Sequence, residues 1–189
     1  LLRQKISWGY CRLVLAAFDL TVSMPIVGHL LGRPFAERMG VREGAVESPH
    51  MFNAYIEGIR SRLEAQHPRI CRMFELAVPI LLYADDAALP ADSAEDLALS
   101  VAIFEEFCNE HRLFISVPKT FITVFHDAAD HGVAYIGEEV FVDGRRVDIY
   151  IYGQKLAAAK EFKYLGVWIN RIATSMHTYL IIGAPVYTA

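Results

Sequence analysis

Cysteine is scarce, basic charge is not in excess, and no apolar stretch is both long and clean. The 189 residues include three cysteines, Cys11, Cys71 and Cys108. They are too far apart and odd in number for a disulfide framework or a zinc knuckle, so a reducing compartment is the default. Eighteen Lys and Arg stand against 22 Asp and Glu, giving a net charge of −4 and a pI near 6.0. No strong basic footprint for nucleic acid is present. The apolar segment Cys11–Leu31 carries Arg12, Asp19 and His29 and is broken by Pro25. Those features disqualify it as a membrane span or a secretory signal. A second run, Leu76–Leu89, is short and interrupted by two aspartates, which suits a buried strand better. The glycine fingerprint of dinucleotide folds and the GxxxxGK[ST] phosphate loop are both missing. No internal repeat or low-complexity tract is evident.

What is present argues for a folded core. Apolar residues make up 54% of the chain, charged residues 21%, and mean hydropathy is +0.28, which is incompatible with intrinsic disorder. A mass of 21.2 kDa suits one domain and is small for two. The chain opens on leucine with an apolar segment close behind, and reads as soluble and as a piece of something longer.

Residues 1–35 mix helix and loop signals, closed by Gly28, Gly32 and Pro34. After a loop containing Gly40, Gly44 and Ser48-Pro49, Phe52, Tyr55, Ile56, Ile59 and Leu63 recur at steps of three and four. That spacing predicts an amphipathic helix ended by His67-Pro68. Val78–Tyr83 and Ala87–Leu89 flank Asp85-Asp86 and read as strand, tight acidic turn, strand. Ser93, with Glu95 and Asp96 behind it, is an N-cap signature. The helix that follows puts Leu97, Val101, Phe104 and Cys108 on one face and Glu105, Glu106, Asn109 and Glu110 on the other. Leu113–Val117 and Thr120–Phe125 look extended, separated by Pro118-Lys119. Glu139–Val142 and Arg146–Tyr152 are joined at Asp143-Gly144, a hairpin signal, and Phe162–Ile169 reads as a strand. The tail beyond Asn170 is apolar and receives no assignment. This order predicts an α+β fold, an antiparallel sheet with helices packed on one face.

Adjacent aspartates at a hairpin tip repel each other and contribute little to folding. A hard divalent cation, which takes carboxylate oxygens, resolves the repulsion. A plain turn without chemistry is the alternative for an arbitrary Asp-Asp pair, and here the flanks decide. Ile80-Leu81-Leu82-Tyr83-Ala84-Asp85-Asp86 resembles the catalytic hairpin of reverse transcriptases. Upstream, Gly40-Val41-Arg42-Glu43-Gly44, Ser48-Pro49 and Phe52-Asn53-Ala54-Tyr55-Ile56 resemble the GVRQG…SP.LFN.YI block of non-LTR (LINE-type) and group II intron-like enzymes. Downstream, Leu113–Thr120 resembles the L.IN..KT block, and Phe162–Val167 the FKYLGV hairpin that grips the primer end. Four blocks in the right order cover roughly residues 35–169.

The resemblance implies an RNA-directed DNA polymerase that uses Mg2+ or Mn2+, an RNA template, a DNA primer and deoxynucleoside triphosphates. It implies a right-hand polymerase fragment: 1–35 leading into the palm, with the fingers incomplete; 36–170 as the palm, with the acidic hairpin and a primer-grip-like hairpin; 171–189 as an unassigned tail or the start of a thumb. Asp85 is then a metal ligand, Asp86 a weaker partner, and Lys119 the group that neutralises departing pyrophosphate. Gly40, Arg42, Glu43, Gly44, Ser48, Pro49, Asn53 and Tyr83 would line the template and nucleotide, and Tyr164, Leu165 and Gly166 would hold the primer terminus. The implied location is nuclear or cytoplasmic, not secreted.

The match has gaps. Polymerases of this fold carry a further carboxylate, in a DLKKAFD-like block on the neighbouring palm strand, several tens of residues ahead of GVRQG. Ala17-Phe18-Asp19-Leu20 has some of the letters, but Asp19 precedes Gly40 by only 21 positions, and we read it as coincidental. Glu43 replaces the usual glutamine, Glu47 stands where an apolar residue is common, and Ser116 replaces asparagine. A carboxylate added near phosphates is unfavourable unless protonated or turned away. These departures fit a decayed element, and they predict weak magnesium affinity and an isolated chain that is inactive. The alternative function is therefore a non-catalytic α+β remnant.

Overall fold

The computed structural model describes residues 7–19, 22–36, 48–73, 75–126, 132–164, 167–170, 178–182 and 186–188. The chain divides into two units, 1–57 and 58–189. In the first, helix α1 (Trp8–Asp19) buries Cys11 and Val14, three residues apart on one side. An irregular hairpin follows. β1 (Val22–Ser23) pairs antiparallel with β4 (Phe35–Ala36), and inside it β2 (Ile26–Val27) pairs with β3 (Leu30–Leu31). Gly28, at φ +62°, opens its tip. Helix α2 (Ser48–Ile56) completes the unit. The helix predicted from Phe52 to Leu63 is thus two helices, with α3 (Gly58–Gln66) opening the second unit.

In the second unit, α3 buries Ile59 and Leu63 and ends before His67-Pro68 as expected. A small hairpin, β5 (Arg72–Met73) with β6 (Leu76–Ala77), precedes the acidic one. The predicted strand from Val78 begins only at Leu81. β7 (Leu81–Tyr83) pairs antiparallel with β8 (Asp86–Ala91). Helix α4 (Ala94–Glu110) follows, and its sequence reading holds in detail. Ser93 Oγ accepts from the Asp96 backbone N–H at 3.1 Å and donates to Asp96 Oδ2 at 2.7 Å. Leu97, Val101, Phe104 and Cys108 are all buried.

Helix α3 lies against α4. A Cβ on Gly58 would come within 3.3 Å of the Phe107 ring, so the absence of a side chain permits the approach. Arg62 spans the helices, 3.0 Å from Glu106 Oε2 and 3.1 Å from Glu110 Oε1. At the N-terminal end of α4, Asp96 is buried and accepts from Arg69 Nε at 3.0 Å. His67 Nδ1 accepts from the Arg69 backbone N–H at 3.1 Å, and His67 Nε2 lies 3.0 Å from the Asp96 carbonyl. The segment after α3 is thereby tied to the start of α4. Cys71 Sγ donates to Asp92 Oδ1 at 3.3 Å; burial first, then that bond, pushes its pKa up to about 12. Burial does the same to Cys108, with Glu105 adding to it.

After α4 come β9 (Leu113–Ile115), a single 3-10 turn over Val117–Lys119, and β10 (Phe121–Phe125). Three meandering strands then form from β11 (Val133–Ile136), β12 (Glu139–Val142) and β13 (Arg145–Arg146). The single strand predicted over Arg146–Tyr152 is broken. β14 (Tyr150–Ile151) belongs to a second hairpin with β15 (Gln154–Lys155). The two hairpins repeat each other nine residues apart, correcting the expectation of no internal repeat. Val140-Phe141-Val142-Asp143-Gly144-Arg145-Arg146-Val147 aligns with Ile149-Tyr150-Ile151-Tyr152-Gly153-Gln154-Lys155-Leu156. Asp143 and Gly144 have φ of +50° and +73°, and Tyr152 and Gly153 have +51° and +71°. Val147 donates to the Val140 carbonyl at 3.0 Å, and Leu156 to that of Ile149 at 2.9 Å. Arg146 and Lys155 occupy equivalent positions, and both bridge Glu139 and Asp148, over 2.6–3.2 Å.

β16 (Ala157–Ala158) runs parallel to β10. Phe162–Ile169, read as one strand, is a hairpin of β17 (Glu161–Tyr164) and β18 (Val167–Asn170). Phe162 joins Ala88, Phe121, Phe125 and Ile169 in one apolar cluster, with ring centroids 5.4 Å from Phe121 and 6.2 Å from Phe125. The unassigned tail contributes two strands. β19 (Thr178–Ile182) lies between β8 and β10 in a five-stranded sheet ordered β16-β10-β19-β8-β7, and β20 (Val186–Thr188) pairs with β9. The fold is mixed helix and strand with small, mostly antiparallel sheets, consistent with the α+β expectation.

Two outcomes are expected. Ser93→Ala removes the N-cap acceptor and should cost about 1 kcal/mol in urea unfolding. The bond from Lys155 holds the carboxyls of Glu139 and Asp148 below their ordinary range. Depressed folded-state pKa values give stability that is present above the unfolded carboxylate range and lost as pH falls through the folded values. Glu139→Gln should therefore lower Tm at neutral pH, and the gap to the parent should close on acidification.

Candidate active site

Tyr83 pairs with Asp86, so Ala84 and Asp85 form a two-residue turn, and Asp86 is the first residue of β8 rather than part of the tip. Two-residue hairpin turns need a positive φ, usually supplied by glycine. Here Ala84 has φ +49°. A left-handed alanine costs about 1–2 kcal/mol, a strain stored next to the acidic pair. The turn leaves Asp85 exposed and Tyr83 61% exposed, while Asp86 is half-buried. Burial, and then the neighbouring Asp85 charge, raise the Asp86 pKa.

β8 has a strand on each side, β7 and β19. The register places Ile182 opposite Ala88, Ile181 opposite Leu89 and Leu180 opposite Pro90. β19, with the sequence Thr-Tyr-Leu-Ile-Ile, carries no carboxylate. Among the described residues no group of three or more His, Cys, Asp or Glu side chains is placed to hold a metal ion.

The other residues singled out in the sequence are placed as follows. Lys119 ends the 3-10 turn and is exposed, its backbone N–H bonded to the Ser116 carbonyl at 3.0 Å. In the first unit, Ser48 begins α2 with its side chain buried and its Oγ lacking a hydrogen-bond partner among the described residues. Pro49 and Asn53 are exposed on the same helix. Tyr164 ends β17, directly opposite Val167. Gly40, Arg42, Glu43, Gly44, Leu165 and Gly166 lie outside the described residues. The structure therefore brings Tyr83, Asp85 and Asp86 together at one hairpin turn. Sequence reasoning missed β19, which pairs with Ala88–Ala91 of β8. Its apolar run was the only local signal.

A family model described as "Reverse transcriptase (RNA-dependent DNA polymerase)" matches residues 4–169. The chain belongs to the reverse transcriptase family. No curated protein matches it. Reverse transcriptases of this family generally use divalent metal ions, and the domain implies a nucleic acid template and nucleotide substrates. No helix among the described residues is long and apolar enough to cross a membrane.

The hard oxygen donors of Asp85 and Asp86 suit such an ion, but one adjacent pair is only part of a set for two ions. Among the described residues no third carboxylate, histidine or cysteine joins the pair, so they do not make up a complete metal centre in this reverse transcriptase domain.

Asp86→Asn tests the electrostatics. A raised folded-state pKa means that ionisation is disfavoured in the fold. The penalty is absent below the unfolded carboxylate range and complete above the folded pKa. Asp86→Asn should thus raise Tm at pH 7, with the gain vanishing in acid. Ala84→Gly should relieve the left-handed alanine but loosen the unfolded chain, for a net gain of about 0.5 kcal/mol in urea unfolding. Ala84→Val should destabilise.

Proposed function

We propose that the chain is the palm region of a non-LTR (LINE-type) reverse transcriptase, an RNA-directed DNA polymerase whose Asp85 and Asp86 belong to the carboxylate set for Mg2+ or Mn2+. The observation that carries this is the acidic dipeptide at the β7–β8 turn, Asp85 in the turn and Asp86 at the head of β8, on a strained hairpin within a chain of reverse transcriptase family. Four sequence blocks in family order support the subtype: Gly40–Gly44 with Ser48-Pro49, the Asp85-Asp86 hairpin, Leu113–Thr120, and Phe162–Val167. The two-stranded form of β17 and β18 suits a primer-grip role for Tyr164, Leu165 and Gly166. Lys119, exposed beside β10, is assigned to the departing pyrophosphate. Gly40, Arg42, Glu43, Gly44, Ser48, Pro49, Asn53 and Tyr83 are assigned to template and nucleotide. RNA template, DNA primer and deoxynucleoside triphosphates are the partners, in the nucleus or cytoplasm, together with the fingers and thumb of a longer protein.

A specific observation favours a second reading for these 189 residues by themselves. Among the described residues no third metal-binding side chain stands with Asp85 and Asp86, which supports reading the chain alone as a module that keeps the family's hairpin without its chemistry.

Primer extension on an RNA template separates the readings. We expect these residues alone to incorporate no nucleotide above the level of Asp85→Ala. Incorporation that Asp85→Ala abolishes would restore the catalytic reading, and incorporation that survives it would overturn the assignment of Asp85. An upstream reading frame encoding a DLKKAFD-like block supports the polymerase palm, and a stop codon there supports the remnant.

A further inference from the structure

Residues 133–158 form an excursion from a single strand. The chain leaves β10 after Phe125 and returns beside it at β16, where Ala157 and Ala158 stand opposite Phe121 and Ile122. β16 is the outermost strand of its sheet, so lifting the excursion away parts no other pair of strands there. Within it the bonds are local. β11, β12 and β13 pair in one small sheet, β14 pairs with β15, and the Ala158 N–H donates to the Glu138 carbonyl at 2.8 Å. Arg146 and Lys155 make their ion pairs with Glu139 and Asp148. Val140, Val147, Ile149, Ile151 and Leu156 are buried, and β14 rests against α4.

Two tyrosine hydroxyls fasten the excursion to neighbouring strands. On β10, Val124 lies beyond the residues that β16 pairs with, and it is fully buried. Its backbone groups need partners there. The Tyr135 hydroxyl serves both, accepting from the Val124 N–H at 2.8 Å and donating to the Val124 carbonyl at 3.2 Å. On β9, the Tyr152 hydroxyl accepts from the Ile115 N–H at 3.3 Å, and the Tyr152 ring meets that of Phe114 with centroids 5.6 Å apart. The Tyr152 N–H donates to Glu105 Oε2 of α4 at 3.0 Å. At the return to β10, the Ala159 N–H donates to the Ile122 carbonyl at 2.9 Å, and the Ala159 carbonyl accepts from Thr123 Oγ1 at 2.9 Å.

We propose that 133–158 is a strap that opens and closes over β9 and β10 as one unit while α4 stays folded, with the Tyr135 and Tyr152 hydroxyls as its two fasteners. Folded chains open in such cooperative pieces at a lower cost than global unfolding. A net hydrogen bond is worth about fivefold in an opening equilibrium, so each hydroxyl sets how often the whole strap is open.

Native-state amide exchange on the full chain tests this. Four N–H groups are held by docking bonds, those of Ile115, Val124, Tyr152 and Ala159. In the parent they should exchange about tenfold or more faster than Val101 and Phe104 in the middle of α4. Tyr135→Phe should speed exchange about fivefold at Ile115 and Tyr152, the far fastening point. Tyr152→Phe should do the same at Val124 and Ala159. Ser93→Ala weakens the cap of α4, which the open strap retains. It should speed Val101 and Phe104 and leave the four docking groups unchanged. Acceleration at Val124 alone in Tyr135→Phe would overturn the strap, because the bond is then purely local. So would docking groups that exchange at the rate of α4 or follow it in Ser93→Ala, because they then open only when the unit unfolds. Both hydroxyl variants keep the aromatic ring, and with it the packing. Neither nucleotide nor metal enters the measurement, so its result stands apart from that of primer extension.

Discussion

The second unit is organised by a gap one strand wide. The chain leaves β8, climbs α4 and returns through β9 to β10, which runs parallel to β8 but not against it. Unpaired backbone donors and acceptors facing each other across such a gap are costly when buried, because no water reaches them. Something extended and antiparallel to both has to enter. Thr178–Ile182 does so, and its insertion joins the acidic hairpin on one flank to β10 and β16 on the other in a single sheet. Ala88 on β8 and Phe121 on β10, the strands to either side of it, share the apolar cluster around Phe162.

Helix α4 gives that sheet its backing. Its cap, its acidic first turn and its apolar face were all legible, because each depends on residues within one or two turns of each other. The Arg69–Asp96 bond and the Arg62 bridges to Glu106 and Glu110 then tie α3 and the segment after it to this helix. These ties involve partners 27 to 48 residues apart, and charge patterning along the chain gave no hint of them.

The acidic hairpin was legible because two apolar runs flank a polar dipeptide, although the turn sits one residue earlier than the letters suggested. Asp86 belongs to the strand, and Ala84 takes the left-handed position that a reader would have reserved for glycine. The repeated hairpins were missed for a different reason. Their likeness lies in an alternation of apolar and aromatic residues around a single glycine, with Asp143 and Tyr152 in equivalent places, and identity-based comparison passes over it. The tail strand had a local signal in its β-branched and aromatic run, but its place in the sheet was not legible, since its partners lie at residues 88–91 and 121–125. Of the candidate site, the sequence revealed the carboxylates and the structure revealed the strained turn that holds them.

The sulfur chemistry of the second unit follows from its packing. Cys71 and Cys108 are buried, with thiols pushed up to about 12. Reactivity toward oxidants and alkylating agents belongs to the thiolate, a form these side chains do not adopt at physiological pH. Their protection therefore lasts as long as α4 and the segment after α3 stay folded, whatever the redox poise outside. Sulfur in this unit records the integrity of the fold, and it does so without forming a bond of its own.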